Sequence, residues 1–132
     1  MKRVLFVCVE NSCRSQMAEA LARRRAKEAV EVWSAGSKPS GKVNETALAL
    51  LKESGADTLP LRSKGLNDLP AGEWDAVVTM GCGDACPHLP AKRRLDWALP
   101  DPKHLPLDEF RRVRNQIEGL VTELLHDLSA ET

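Results

Sequence analysis

The segment from Val4 to Ala22 constrains the fold most strongly, because it joins an apolar run to a run with helical spacing. The apolar residues from Val4 to Val7 end at Cys8, and a short polar stretch follows. Apolar residues then recur at spacings of three and four, which predicts a helix that begins at Arg14. The segment is therefore interpreted as a buried strand, a tight loop and a helix.

The rest of the chain alternates predicted strands with predicted helices. The predicted strands cover residues 3–7, 30–34, 75–80 and 94–97. The first predicted helix covers residues 14–29, and the second runs from an N-cap at Asn44 to a C-terminal stop at Gly55. A third helix is predicted from its apolar face between Phe110 and Leu128, and a short helix or turn is predicted at residues 66–69. This alternation predicts one α/β domain over residues 1–132, with a four-stranded parallel sheet flanked by helices on both faces.

Composition excludes several classes of protein. Lysine plus arginine number 19 and aspartate plus glutamate number 19, so a neutral chain of 132 residues has no electrostatic footprint for nucleic acid or an anionic membrane. The apolar stretch from Val4 to Val9 is too short to span a bilayer, and no cleavage pattern of a signal peptide follows it. The expectation is a cytoplasmic, monomeric protein of one domain.

Three chemically active residues each follow a predicted strand. Cys8, Cys82 and Asp101 all come after a strand in the sequence. Because ligands in parallel α/β sheets bind at the carboxyl ends of the strands, these side chains are expected at one edge of the sheet. The sequence therefore predicts a single active site.

The stretch from Cys8 to Ser15 predicts an oxyanion site with a nucleophile at its base. A free thiol has a pKa of about 8.5, and loop N–H groups, a helix N-terminus and Arg14 all stabilise its thiolate. The same groups can hold a tetrahedral oxyanion, with Ser15 donating to the sulfur and Asn11 bracing the loop. The predicted oxyanion-binding residues are Cys8, Val9, Glu10, Asn11, Ser12, Cys13, Arg14 and Ser15. The plainer alternative is a buried cysteine at a strand end and a surface arginine.

Asp101 stands between Pro100 and Pro102, which hold the backbone extended and fix the direction of the carboxyl group. A carboxylic acid near the oxyanion site could protonate a leaving oxygen. The alternative is an ordinary loop aspartate.

The chain has four cysteines, and all four fall in or beside predicted loops, which favours chemistry over packing. Cys82 and Cys86 are four residues apart, so they could close a small disulfide and form a three-thiol relay with Cys8. The main alternative is a zinc site that adds His88, although no fourth ligand is evident. Cys13 is interpreted as a small filler.

Residues 7–19, VCVENSCRSQMAE, closely resemble the phosphate-loop signature of arsenate reductases that share the fold of low-molecular-weight tyrosine phosphatases. Further matches to this family occur in the same order along nearly the whole chain. They are Ser34 to Gly36, Val77 to Met80, Cys86-Pro87, Trp97, Asp101-Pro102 and Phe110-Arg111.

The resemblance implies roles for five residues. Cys8 would attack arsenate, Arg14 would clamp the oxyanion and Asp101 would assist departure of hydroxide. Cys82 would then attack the Cys8 adduct and release arsenite, and Cys86 would take over the disulfide and present it to thioredoxin. Phosphate or sulfate would compete with arsenate for the site.

One departure from the family concerns the electron donor. Only three residues separate Cys82 from Cys86, whereas the two cysteines lie farther apart in the thioredoxin-coupled members. Glutaredoxin or a small thiol therefore stays open as an alternative to thioredoxin. Some relatives hold a monovalent cation beside the loop, but Lys64 stands at one of its ligand positions, so neither a metal ion nor a bound cofactor is expected.

Two rival functions stay open. A low-molecular-weight tyrosine phosphatase would need only Cys8, Arg14 and Asp101, leaving the second cysteine pair idle. A zinc- or arsenite-binding module would use Cys82, Cys86 and His88 without catalysis.

Overall fold

The computed structural model describes residues 1–27, 29–81 and 89–130. The four strands are β1 (Lys2–Cys8), β2 (Val30–Gly36), β3 (Trp74–Thr79) and β4 (Ala91–Asp96). The three α-helices are α1 (Arg14–Ala26), α2 (Glu45–Glu53) and α3 (Leu107–Ala130), and two 3-10 helices cover Leu66–Asp68 and Pro102–His104.

The strands form one parallel sheet in the order β2-β1-β3-β4, which confirms the predicted fold class. β1 has a neighbour on each side, and Val4 to Val7 are fully buried, which explains why this strand is a continuous apolar run. From β1 the chain adds β2 on one side of the sheet, and it then crosses back to add β3 and β4 on the other side of β1. Sheets of this kind bind ligands beside such a reversal, at the carboxyl ends of the strands.

The two faces of the sheet are covered by different kinds of helix. Buried side chains of all three α-helices join Val4 and Phe6 in the larger apolar cluster. On the opposite face, Leu66 of the first 3-10 helix packs on a smaller cluster that contains Leu5 and Val7. The large cluster thus anchors α1 over the carboxyl end of β1, where the predicted site lies.

Several element boundaries differ from the sequence prediction. β2 continues to Gly36 instead of ending at Ser34, because it pairs with β1 up to Cys8. α1 ends at Ala26 instead of residue 29, since Lys27 has a φ of 55° and its N–H returns to the Arg23 carbonyl. The start of β4 lies at Ala91, three residues before the predicted start, because Ala91 pairs with Trp74.

The predicted apolar face of α3 is present. Its fully buried members are Phe110, Val113, Ile117, Val121, Leu124 and Leu128, whereas Leu120 and Leu125 are half-buried. Arg114 of the same helix is also buried, which its charge did not lead us to expect. Its guanidinium donates to the Leu50 carbonyl at 3.0 Å and to Glu53 at 3.0 Å, which ties α3 to α2. Hydrogen bonds from Arg111 and Arg114 lower the pKa of Glu53 to about 2.

None of the helices in the described parts of the chain is long and apolar enough to cross a membrane.

Candidate active site

Cys8 is the last residue of β1, and the chain then turns through a short loop into α1 at Arg14. The Cys8 side chain is buried at the base of an open pocket of about 310 Å³. The pocket is lined by Cys8, Val9, Glu10, Ser12, Cys13, Arg14, Asp101, Lys103 and His104. The structure therefore brings six of the eight residues of the predicted oxyanion loop to one pocket, together with Asp101.

The two remaining loop residues, Asn11 and Ser15, lie beneath the pocket and are fully buried. The Ser15 hydroxyl is 2.8 Å from the Cys8 sulfur, and the Asn11 amide donates to the same hydroxyl oxygen at 2.7 Å. Because the oxygen of Ser15 already accepts from Asn11, its hydrogen is available to the sulfur. Ser15 thus supplies a hydrogen bond that stabilises a thiolate at Cys8.

The Asn11 side chain uses all of its hydrogen-bonding capacity. Its amide nitrogen donates to Ser15 and to Ser34, and its oxygen accepts from the Lys64 backbone N–H at 2.9 Å and from Gln16 at 2.9 Å. A backbone N–H can only donate, so Lys64 fixes which end of the amide faces Ser15. Asn11 was expected to bond the backbone of its own loop, but its partners lie on neighbouring elements.

The backbone of Asn11 also has a φ of 50°, in the left-handed region that asparagine tolerates better than most residues. Gly36 of β2 lies directly against it. A Cβ at Gly36 would be 2.5 Å from the Val9 carbonyl and 2.9 Å from the Asn11 nitrogen. Only glycine lets the end of β2 approach the loop this closely.

A buried ion pair continues this network away from the pocket. The Lys64 ammonium lies 3.1 Å from Glu19, and both side chains are at most 5% exposed. Ser34 donates to Glu19 at 2.5 Å and accepts from Asn11 at 2.9 Å. The chain of contacts therefore runs from Lys64 through Glu19, Ser34, Asn11 and Ser15 to the Cys8 sulfur.

Arg14 is buried and its guanidinium lies at the wall of the pocket. It donates to the Leu99 carbonyl at 3.0 Å and lies 3.9 Å from the Asp101 carboxylate. Gly81 packs against the same group, since a Cβ there would be 2.5 Å from Arg14 Nη1. These contacts orient the fork of the guanidinium before an anion arrives.

Asp101 caps the second 3-10 helix, because its carboxylate accepts from the Lys103 backbone N–H at 3.1 Å. Its backbone is extended, with a φ of −73° and a ψ of 117°, and Pro102 begins the helix. The carboxylate is half exposed at the mouth of the pocket. The geometry places a carboxyl group above a site whose base is the Cys8 sulfur.

Two residues at the mouth of the pocket, Lys103 and His104, were not anticipated there. The Lys103 ammonium forms a salt bridge with the Glu10 carboxylate. His104, which was interpreted as an ordinary loop residue, lines the same pocket. Glu10 and Lys103 are 93 positions apart in the chain, so no local pattern indicates their contact.

The expectation that all four cysteines avoid the core is wrong for Cys8 and Cys13. Both are buried in the larger apolar cluster because the end of β1 and the start of α1 pack beneath the sheet edge. Burial, and then the charge of Asp101, raise the pKa of the Cys13 thiol to about 12. Cys13 therefore stays a neutral thiol beside the pocket, as a filler would.

Cys82, Cys86 and His88 lie outside the described residues, so neither the relay nor the zinc alternative has a geometry here. In the parts of the chain that the structure describes, no group of three potential metal ligands lies together.

A cysteine at the end of an inner parallel strand, a five-residue loop and an arginine that opens a helix define an α/β protein of the phosphate-loop type. The profile of the family described as low molecular weight phosphotyrosine protein phosphatase matches residues 3–132. The chain belongs to this family.

The proteins to which this chain is similar include arsenate reductases. A glutaredoxin arsenate reductase of Synechocystis is 37% identical over 132 residues, which is 98% of this chain and 100% of that protein. A solved arsenate reductase in the phosphate binding state is 37% identical with a TM-score of 0.85, covering 96% of this chain and 98% of that one. The thioredoxin-dependent arsenate reductase of Corynebacterium glutamicum is 35% identical with a TM-score of 0.81, covering 100% of this chain and 64% of that one.

Proposed function

We propose that this protein is an arsenate reductase in which Cys8 is the nucleophile. The observation that carries the proposal is the pocket that has the Cys8 sulfur at its base and Arg14 and Asp101 on its walls. A buried serine that donates to the sulfur favours a thiolate, which is the reactive form. The names of the similar proteins support arsenate as the oxyanion.

In the first proposed step, the Cys8 thiolate attacks arsenic and a sulfur–arsenic bond forms. One oxygen leaves as water after it receives a proton from Asp101. Arg14 binds two of the remaining oxygens through its planar fork, and the loop N–H groups bind the others.

In the second proposed step, the sulfur of Cys82 attacks the sulfur of Cys8 and a Cys8–Cys82 disulfide forms. The sulfur–arsenic bond breaks and its electron pair reduces arsenic from the pentavalent to the trivalent state, so arsenite leaves. Cys86 then attacks Cys82 and releases Cys8 as a thiol. Support for Cys82 comes from its sequence position directly after Gly81, which packs against Arg14.

The last proposed step transfers two electrons from an external dithiol or thiol to the Cys82–Cys86 disulfide. Thioredoxin is the first choice, and one similar structure is named thioredoxin-dependent. Glutaredoxin is the alternative, and the Synechocystis relative carries that name. A relay of this kind needs a reducing compartment, so we place the activity in the cytoplasm, with residues 1–132 acting as one unit.

The test is arsenate-dependent oxidation of NADPH with thioredoxin and thioredoxin reductase, and separately with glutathione, glutaredoxin and glutathione reductase. Wild-type protein should turn over with one of the two systems, and Cys8→Ser should be inactive with both. Loss of activity in Cys82→Ser and Cys86→Ser with thioredoxin supports the three-thiol relay. A Cys86→Ser variant that stays active with glutaredoxin removes Cys86 from the mechanism.

A phosphatase activity is the second candidate, because the chain belongs to a phosphatase family and Cys8, Arg14 and Asp101 suffice for hydrolysis of a phosphate monoester. Hydrolysis of p-nitrophenyl phosphate by Cys82→Ser at the wild-type rate, together with wild-type protein that does not reduce arsenate, would favour this candidate.

A further inference from the structure

The salt bridge between Lys103 and Glu10 spans the mouth of the Cys8 pocket. The Lys103 ammonium lies 3.1 and 3.3 Å from the two carboxylate oxygens of Glu10. Both side chains are 40% exposed, and both line the same pocket as the Cys8 sulfur. The contact therefore joins the oxyanion loop to the segment that carries Asp101.

Lys103 has two separate connections at this mouth. Its backbone N–H holds the Asp101 carboxylate, whereas its side chain holds Glu10. Replacing the side chain leaves the backbone contact in place. The charge of Lys103 can therefore be tested without removing the cap that orients Asp101.

The pocket is lined by side chains of both charge signs. Among the described residues that line it, Arg14 and Lys103 are cations and Glu10 and Asp101 are carboxylates. An oxyanion that enters would meet the Glu10 carboxylate at close range and be repelled by it. The ammonium is a compact charge on a flexible stem with three donors, so it can exchange one anionic partner for another.

We propose that Lys103 is a binding residue for the oxyanion and that Glu10 is an internal competitor which holds the Lys103 ammonium while the pocket is empty. On binding, Lys103 leaves Glu10 and donates to an oxygen at the open side of the anion, opposite Arg14. The exchange favours doubly charged over singly charged oxyanions, because the Coulomb attraction to the ammonium increases with the charge of the anion. This role rests on the proposed function for its substrate, but it concerns binding alone.

Two features of the geometry support exchange over a fixed structural bridge. The ion pair is exposed to water on its outer side, and such pairs contribute little to stability, so little free energy opposes its opening. The second feature is the position of Glu10 within the loop whose neighbouring residues surround the anion. Its carboxylate is thus close enough to compete for Lys103.

The test measures how inorganic phosphate, sulfate and arsenate protect the Cys8 thiol from alkylation by iodoacetamide, without any reductant. Lys103→Met should weaken protection by all three anions about tenfold, which corresponds to one charge-assisted hydrogen bond in an open site. Glu10→Gln should strengthen protection about threefold, because the competitor is gone. The double variant should stay weaker than the wild type, since the donor to the anion is missing.

Lys42→Met is the matched control. Lys42 pairs with Glu45 at 3.3 Å in a similar exposed salt bridge, and it does not line the Cys8 pocket. Its anion protection should equal that of the wild type.

Three results would overturn the proposal. Unchanged protection in Lys103→Met would show that the ammonium does not bind the anion. A double variant that matches the wild type would show that Lys103 only neutralises Glu10. Wild-type protein that binds anions but does not reduce arsenate would overturn the proposed function and leave the role of Lys103 intact, whereas wild-type protein that no anion protects would overturn the role of Lys103.

Discussion

The pocket has a floor and a rim that are built in opposite ways. The floor consists of Asn11, Ser15, Ser34, Glu19 and Lys64, all buried and joined by hydrogen bonds. The rim consists of Glu10, Asp101, Lys103 and His104, all at least partly exposed to solvent. The floor fixes the Cys8 sulfur, whereas the rim meets the anion.

The difference between floor and rim shows which part of the site must be rigid and which part must let charged groups change partners. A nucleophile needs one fixed environment, and a buried network of hydrogen-bonded groups provides it. An entering and leaving anion needs charges that can change partners, and groups in contact with water do this at low cost. Substitutions in the floor should therefore affect folding and reactivity together, whereas substitutions in the rim should affect anion binding or turnover with little change in stability.

The largest effect is expected from Lys64→Met. The substitution removes the ammonium from the buried Glu19 carboxylate, which then keeps only Ser34 and the partly exposed guanidinium of Arg23. Because the Arg23 pair remains, the free energy of unfolding should fall by about 3 kcal/mol, at the lower end of the range for a broken buried ion pair. Urea denaturation checks this, with Lys42→Met as the exposed control that should change stability by less than about 1 kcal/mol. Equal losses in the two variants would remove the distinction between floor and rim.

Ser15→Ala should have the next largest effect. The substitution removes the hydroxyl that bonds the Cys8 sulfur and leaves an Asn11 donor without its acceptor. Unfolding free energy should fall by about 1–3 kcal/mol. The rate of Cys8 alkylation at pH 7 should fall about tenfold, as expected for loss of one hydrogen bond to a thiolate. A rate equal to that of the wild type would mean that Ser15 does not act on the sulfur.

Asp101→Asn, a substitution in the rim, should lower turnover and leave stability almost unchanged. The amide retains an oxygen that can accept from Lys103, so the cap survives. Stability should change by less than about 0.5 kcal/mol, as is usual for exposed positions. Turnover should nevertheless fall by about 100-fold, because the proton donor to the leaving oxygen is lost. Thermal unfolding and single-turnover arsenate reduction test the two parts separately.

The smallest effect concerns the pH dependence of Cys13. Its pKa is raised from 9.0 to about 12, mainly by burial. A raised pKa in the folded state gives a contribution to stability that is complete below pH 9.0 and is lost as pH rises toward about 12. Folded Cys8→Ser protein should therefore leave Cys13 unlabelled by iodoacetamide at pH 8, as mass spectrometry of its peptide would show. Rapid labelling of Cys13 there would contradict the burial of its thiol.

The sequence predicted the segment around Cys8 well because its signals are local. An apolar run, a polar loop and helical spacing follow one another within 19 residues, and the strand, loop and helix lie where these signals place them. The fold class follows from the same kind of signal repeated along the chain.

The sequence predicted roles for Asn11 and Ser15 in the floor, but the buried ion pair behind them could not be predicted, because its two residues are distant in sequence. Glu19 and Lys64 are 45 positions apart, and lysine and glutamate are usually exposed, so nothing local indicates that they meet inside the protein. The same holds for Glu10 and Lys103 at the rim.

The glycine at position 36 has a consequence for redesign of this scaffold. The end of β2 leaves no room for a methyl group against Val9 and Asn11. The backbone conformation of the oxyanion loop therefore depends on its close contact with β2. A combinatorial library that seeks new oxyanion specificities should therefore keep glycine at position 36. It should instead vary positions 103 and 104. Substitutions there change the side chains that meet the anion and leave the contact between β2 and the loop unchanged.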